Sequence, residues 1–189
     1  MTQPIHSIVV SDIFGRTGAL EHFCADLGFV TQIVDPYQGS DMAFANESEA
    51  YQYFISEVGL PRYTQLLQSA LSRNNNATRL IGFSVGAAAI WQNSHRLKDI
   101  GIQQAVCFYG SQIRHATDIE PDINLTVVMP QTEAHFCVDK LSAQLVSKPS
   151  VQVLPSGYMH GFMNKLSNNF SPDAYHFYLN WLKTRFALG

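Results

Sequence analysis

The sequence predicts a compact α/β protein of three layers, with helices on both faces of a mostly parallel sheet of about six strands. Three observations carry this expectation. Short apolar runs alternate with amphipathic stretches of helical period along the chain, the pattern of repeated β-α units. One strand-to-helix junction reads Gly82-Phe83-Ser84-Val85-Gly86, a sharp G-x-S-x-G turn. Finally, the 189 residues contain no repeat, low-complexity tract or linker, so residues 1–189 are expected to form one domain with a substantial core.

Taken in order, strands are expected at residues 5–10, 30–34, 79–83, 104–109, 125–129 and 151–154. Between the first two, Leu20, Phe23, Cys24 and Leu27 fall at i, i+3, i+4 and i+7 on one helix face, and Gly28 closes the helix. The stretch 37–53 has the weakest periodicity and reads as a loop over the rim of a site. Tyr63, Leu66, Leu67, Ala70 and Leu71 then mark a second helix before the Asn74-Asn75-Asn76 turn. Ala87, Ala88 and Ala89 let a helix start close to the sheet. Ala134, Val138, Leu141 and Leu145 share a face of another helix, which Glu133 would open. Ser171-Pro172 is an N-cap followed by proline at the first helical position. Tyr175, Tyr178, Leu179, Leu182 and Phe186 line the inner face of the last helix.

Composition narrows the function. The net charge is −3 and no block of Lys or Arg appears, so neither nucleic acid nor an anionic membrane is an expected partner. No signal segment or membrane-length apolar run is present. Cys24, Cys107 and Cys137 are odd in number, widely spaced and set among apolar residues. They read as reduced, buried thiols of a cytoplasmic protein. No HxxxH or CxxC spacing exists, and neither a metal nor a cofactor is expected.

Chemistry concentrates at three positions. Ser84, on the turn, would be held exposed at the end of a buried strand, and glycines at 82 and 86 would let strand and helix cross closely. His160 lies in the Gly-flanked loop after the last strand, where catalytic residues of open α/β sheets sit. A turn histidine at the surface is the plainer alternative. Glu133 follows the 125–129 strand and is the candidate acid that would orient the imidazole; its alternative is a helix-opening carboxylate favoured by the dipole. Asp118 and Asp122 are weaker candidates, Asp139 is expected on the solvent face of its helix, and His135 is the reserve histidine.

With these residues in place, the chain resembles the dienelactone hydrolase family nearly end to end. Four segments carry the likeness: Ile8-Val9-Val10-Ser11-Asp12-Ile13-Phe14-Gly15; Leu27-Gly28-Phe29-Val30 through Asp35-Pro36-Tyr37; the serine turn with Ala105-Val106-Cys107-Phe108-Tyr109-Gly110; and His160-Gly161-Phe162. The resemblance implies an α/β-hydrolase fold, here without the family's two usual N-terminal strands. It also implies an oxyanion hole from the backbone N–H groups of Val85 and Ile13. Asp12, by the same resemblance, would contact the resting nucleophile, and Phe14 and Tyr109 would shape the substrate site.

The chain departs from the family pattern in several places. Serine replaces the usual cysteine, Ala87 the second glycine and Glu133 the usual aspartate, and Asn164 with Lys165 stands where the family has a substrate-gripping arginine. The expected partner is a small-molecule acyl substrate (an ester, thioester or lactone), with self-association as a homodimer left open. Two other readings compete: a non-catalytic domain of the same fold that binds a ligand or partner, and a nucleotide binder using Gly82, Ser84 and Gly86 as a phosphate loop. The latter lacks the G-x-G-x-x-G spacing.

Overall fold

The computed structural model describes residues 6–73 and 76–187. Ile5, Asn74 and Asn75, placed above in a strand and a turn, lie outside these. The described residues form six parallel strands: β1 (His6–Val10), β2 (Val30–Val34), β3 (Arg79–Phe83), β4 (Gln104–Phe108), β5 (Asn124–Met129) and β6 (Val151–Pro155). Their order across the sheet is β2-β1-β3-β4-β5-β6.

Period-two alternation along the strands divides two cores. Ile8, Val10, Leu80, Ala105, Cys107 and Val127 face α3 (Gly59–Arg73), α4 (Val85–Asn93) and α5 (Val138–Val146). Val9, Ile81, Val106, Phe108 and Val128 face α1 (Gly18–Leu27) and α6 (Pro172–Ala187). The four inner strands β1, β3, β4 and β5 are buried on both faces over most of their length and read as near-continuous apolar runs.

The chain leaves β1 toward one side for β2, then returns to the other side for β3. Their pairing registers meet β1 on both edges. This reversal makes a crevice beyond the carboxyl ends of β1 and β3, the switch point where open α/β sheets place their sites.

Three expectations need correction. The 37–53 stretch is not all loop, because α2 spans Glu47–Tyr53 and runs through a π-helical turn, Phe54–Val58, into α3. Asn46 accepts a bond from the Glu49 N–H at 3.0 Å and caps α2. Only Ala50 of α2 is buried, so no apolar stripe marks it. Next, β4 stops at Phe108 because Tyr109 takes φ 40°, outside strand geometry. Cys107 is buried and Cys24 half-buried, but Cys137 is exposed just ahead of α5.

Candidate active site

The turn after β3 holds Ser84 at φ 51° and ψ −113°, a conformation that costs about 1–3 kcal/mol for a residue with a side chain. Bonds to both flanks hold it: the Ser84 N–H donates to the Phe108 carbonyl at 3.0 Å, and the Ala88 N–H donates to the Ser84 carbonyl at 3.1 Å. The glycines permit the crossing by close approach. A Cβ on Gly86 would stand 2.3 Å from the Ser11 carbonyl oxygen and 2.4 Å from that of Val10, and one on Gly82 would meet Ala87 backbone at 2.8 Å.

Two other loops converge on Ser84. His160, in the loop after β6, places Nε2 at 3.0 Å from Ser84 Oγ. Its Nδ1 lies 2.7 Å from Oε1 of Glu133, in the loop after β5. With Ser84 as donor to Nε2, Nδ1 carries the proton and donates to Glu133. The Asn169 side chain donates to the His160 carbonyl at 2.9 Å, and the Tyr109 ring packs on the imidazole at 4.9 Å.

Glu133 precedes α5, which begins at Val138, so the helix-opening alternative does not describe it. Burial would raise its pKa. The His160 hydrogen bond and charge, the Ser111 hydroxyl and the Arg114 charge outweigh that and hold it below the usual glutamate value.

Ser84 opens onto a cleft of about 420 Å³, within the range of small-molecule sites. Ile13, Val85, Glu47, Tyr51, Arg114 and His135 contribute to its lining. Thus α2, unrecognised in the sequence, forms one wall. Val85 is the first residue of α4, where backbone N–H groups have no partner within the helix. Ile13 is fixed by its carbonyl, which accepts from Tyr37 Oη at 2.6 Å. A larger groove of about 570 Å³ at the amino ends of β4 to β6 has Gln104, Asn124, Trp181 and Arg185 in its lining and no nucleophile–base pair.

Other expected site residues are placed differently. Asp12 does not bond to Ser84; Oδ1 accepts from the Phe14 N–H at 3.0 Å and Oδ2 from Asn164 Nδ2 at 2.6 Å. Burial pushes the Asp12 carboxyl above its ordinary value, against the opposing pull of these bonds. Asn164, at the position of the missing arginine, therefore ties the β1 loop to the histidine loop. Phe14 is buried and does not line the cleft; its backbone anchors Asp12. Tyr109 is also buried, and supports the imidazole from the core side.

His135 is exposed at the cleft and outside the hydrogen-bonded chain, and Asp139 is exposed on α5. Asp122 accepts from the Leu97 and Lys98 N–H groups and is structural; Asp118 is exposed. The residue most clearly missed is Ser111, which bonds to both Glu133 and His160 Nδ1. Its only local signal is its place directly after Tyr109-Gly110.

A six-stranded parallel sheet with a strained serine turn at its switch point and a histidine beyond the last strand defines an α/β-hydrolase fold. The family model for the dienelactone hydrolase family matches residues 3–186, and the chain belongs to that family of hydrolases.

A curated relative, the uncharacterised protein YczH of Bacillus subtilis (strain 168), is 29% identical over 134 residues, 69% of this chain. The matched region is 61% of that relative's length, less than two thirds. Among solved structures, a Klebsiella pneumoniae protein provisionally assigned as a dienelactone hydrolase superposes with TM-score 0.74 at 16% identity, over 97% of this chain and 87% of that one. A dienelactone hydrolase-like promiscuous phosphotriesterase from metagenomic libraries gives 0.70 at 16% identity, over 99% and 87%. Est1E from Butyrivibrio proteoclasticus gives 0.57 at 10%, over 97% and 86%. At these identities the structural likeness speaks for the fold.

Among the described residues no cluster of three or more His, Cys, Asp or Glu is arranged to hold a metal ion. No helix among them is long and apolar enough to cross a membrane.

Proposed function

We propose that this chain is a serine hydrolase that cleaves a small carboxylic ester, thioester or lactone through a Ser84–His160–Glu133 triad. The observation that carries the proposal is the unbroken chain of bonds from Ser84 Oγ through His160 to Glu133, opening onto a cleft. A serine hydroxyl is a weak nucleophile and needs a base within hydrogen-bond reach. His160 Nε2 is at that distance.

In the proposed reaction Oγ attacks the acyl carbon as Nε2 takes its proton. The imidazolium formed is stabilised by Glu133, which keeps its charge. Negative charge growing on the carbonyl oxygen meets the N–H groups of Val85 and Ile13, donors worth about 3 kcal/mol each in the barrier. The leaving group departs with the proton from Nε2, and water activated by the same nitrogen releases the acyl group. The strain at Ser84 fits this reading, because backbone outliers of this kind cluster at functional sites. Three unpaired thiols fit a reducing compartment such as the cytoplasm.

The test is intact-mass spectrometry after treatment with a fluorophosphonate, on wild type and Ser84→Ala together. A single adduct confined to wild type is expected. No adduct on folded wild type would overturn the proposal in favour of a non-catalytic binding domain.

A further inference from the structure

We infer that Ser111 is a positioning residue whose hydroxyl locks the Glu133 carboxylate onto Nδ1 of His160, a role that rests on the serine-hydrolase reading above. Glu133 stands in an irregular loop ahead of α5, and its side chain has three rotatable bonds. One N–H donor at 2.7 Å fixes a distance but leaves the carboxylate free to swing about that contact. Ser111 supplies the second constraint. Its Oγ donates to the same Oε1 and lies 3.2 Å from Nδ1. Carboxylate oxygen, imidazole nitrogen and hydroxyl therefore form a closed triangle.

The loop carrying Ser111 is shaped to deliver it there. Tyr109 sits at φ 40°, and Gly110 follows at φ −75°, ψ 71°, values that match an inverse γ-turn. The bond of that turn runs from the Ser111 N–H to the Tyr109 carbonyl at 2.9 Å. A side chain at Gly110 would meet Ile113 Cδ1 at 2.7 Å and Ala87 Cβ at 3.1 Å. Arg114 then braces the far side: Nη1 donates to the Ser111 carbonyl at 2.6 Å, and the guanidinium lies 5.1 Å from the Phe136 ring centroid. A left-handed Tyr109, an inverse γ-turn at Gly110 and the Arg114 brace together end on one hydroxyl at the acid–base contact.

Misplacement of a catalytic group by about 1 Å can cost on the order of 10²-fold in rate. The experiment is a double-mutant cycle on the full chain with p-nitrophenyl acetate, using Ser111→Ala, Glu133→Gln and the pair, with Ser111→Thr alongside. Ser111→Ala should lower kcat by about tenfold or more with KM within about twofold. Because Ser111 acts through Glu133, adding Ser111→Ala to Glu133→Gln should cost far less than it does alone. Ser111→Thr keeps the hydroxyl and should recover most of the loss.

A wild-type kcat in Ser111→Ala, full additivity in the cycle, or a folded Ser111→Thr no better than alanine would each overturn the positioning role. These results would leave the hydrolase proposal standing, provided Ser84→Ala is dead. A wild type that behaves like Ser84→Ala toward both ester and fluorophosphonate overturns the hydrolase reading, and the positioning role falls with it.

Discussion

Replacing Glu133 by glutamine removes one charge and almost no volume, which makes it a clean probe of the proposed mechanism. The amide oxygen can still accept from His160 Nδ1, now 2.7 Å from Oε1, so the ground-state tautomer has a partner. What the proposed mechanism would lose is the carboxylate's attraction for the imidazolium that forms when Ser84 gives up its proton. With charge centres about 4 Å apart and an effective dielectric constant of about 20, that attraction is about 4 kcal/mol. The His160 side chain is 31% exposed against 13% for Glu133, so solvent screening brings the figure to about 2–4 kcal/mol. The corresponding fall in kcat is about 30- to 1000-fold.

Stability should respond differently. The Glu133 pKa is held below its ordinary value, so its charged form contributes stability above the unfolded carboxylate range, and that contribution disappears as pH falls through the lower folded value. Glu133→Gln should therefore show a small melting-temperature deficit near neutral pH that closes in acid. Steady-state kinetics with p-nitrophenyl acetate, paired with melting curves across pH, decides the matter. A kcat within about threefold of wild type in folded Glu133→Gln would refute the triad assignment.

Further outcomes follow from the same geometry. Ser84→Gly should abolish ester hydrolysis yet melt above Ser84→Ala, because both lose the hydroxyl bond to His160 while only glycine relieves about 1–3 kcal/mol of backbone strain, against an entropic cost of about 0.5–1 kcal/mol; a glycine variant that melts below the alanine variant would refute the strain argument. Gly86→Ala should destabilise by about 3 kcal/mol or more, since its Cβ meets two backbone oxygens that cannot swing aside; soluble protein with an unchanged denaturation midpoint would contradict the close approach. Asp12 has a raised pKa, so its folded carboxyl gains a proton before the unfolded one does. Wild type should then gain stability relative to Asp12→Asn as pH falls through the raised value toward the ordinary carboxylate range, and lose it as pH rises. Denaturant titrations at several pH values check the sign, and a gap that widens the other way would contradict the burial argument.

The elements that bury a continuous or periodic apolar face were legible in the residues alone. The five residues Arg79–Phe83 are buried throughout, and Tyr63, Leu67, Ala70 and Leu71 form the expected inner face of α3. Burial is written into local sequence because the period of the backbone decides which side chains point inward. Ser84 was legible for a related reason: the need for close crossing imposes glycine at fixed offsets. In a parallel sheet the loop after β5 opens at the same end as the loops after β3 and β6, so strand order alone brings Glu133 near Ser84 and His160.

Contacts between distant loops belong to the tertiary structure. Asp12 and Asn164 are 152 positions apart in sequence, and no periodicity relates them. α2 has one buried residue and hence no stripe to detect. Phe14 and Tyr109 have residue types suited to a pocket wall, yet backbone conformation and packing turn both into the interior. Ser111 reaches the acid–base pair only because Tyr109 and Gly110 leave strand geometry at that point. Residue types and spacings thus determined the layers and the three candidate residues Ser84, His160 and Glu133 that the fold brings together. The bearing of each surrounding side chain depended on dihedral angles and neighbours that only the assembled chain supplies.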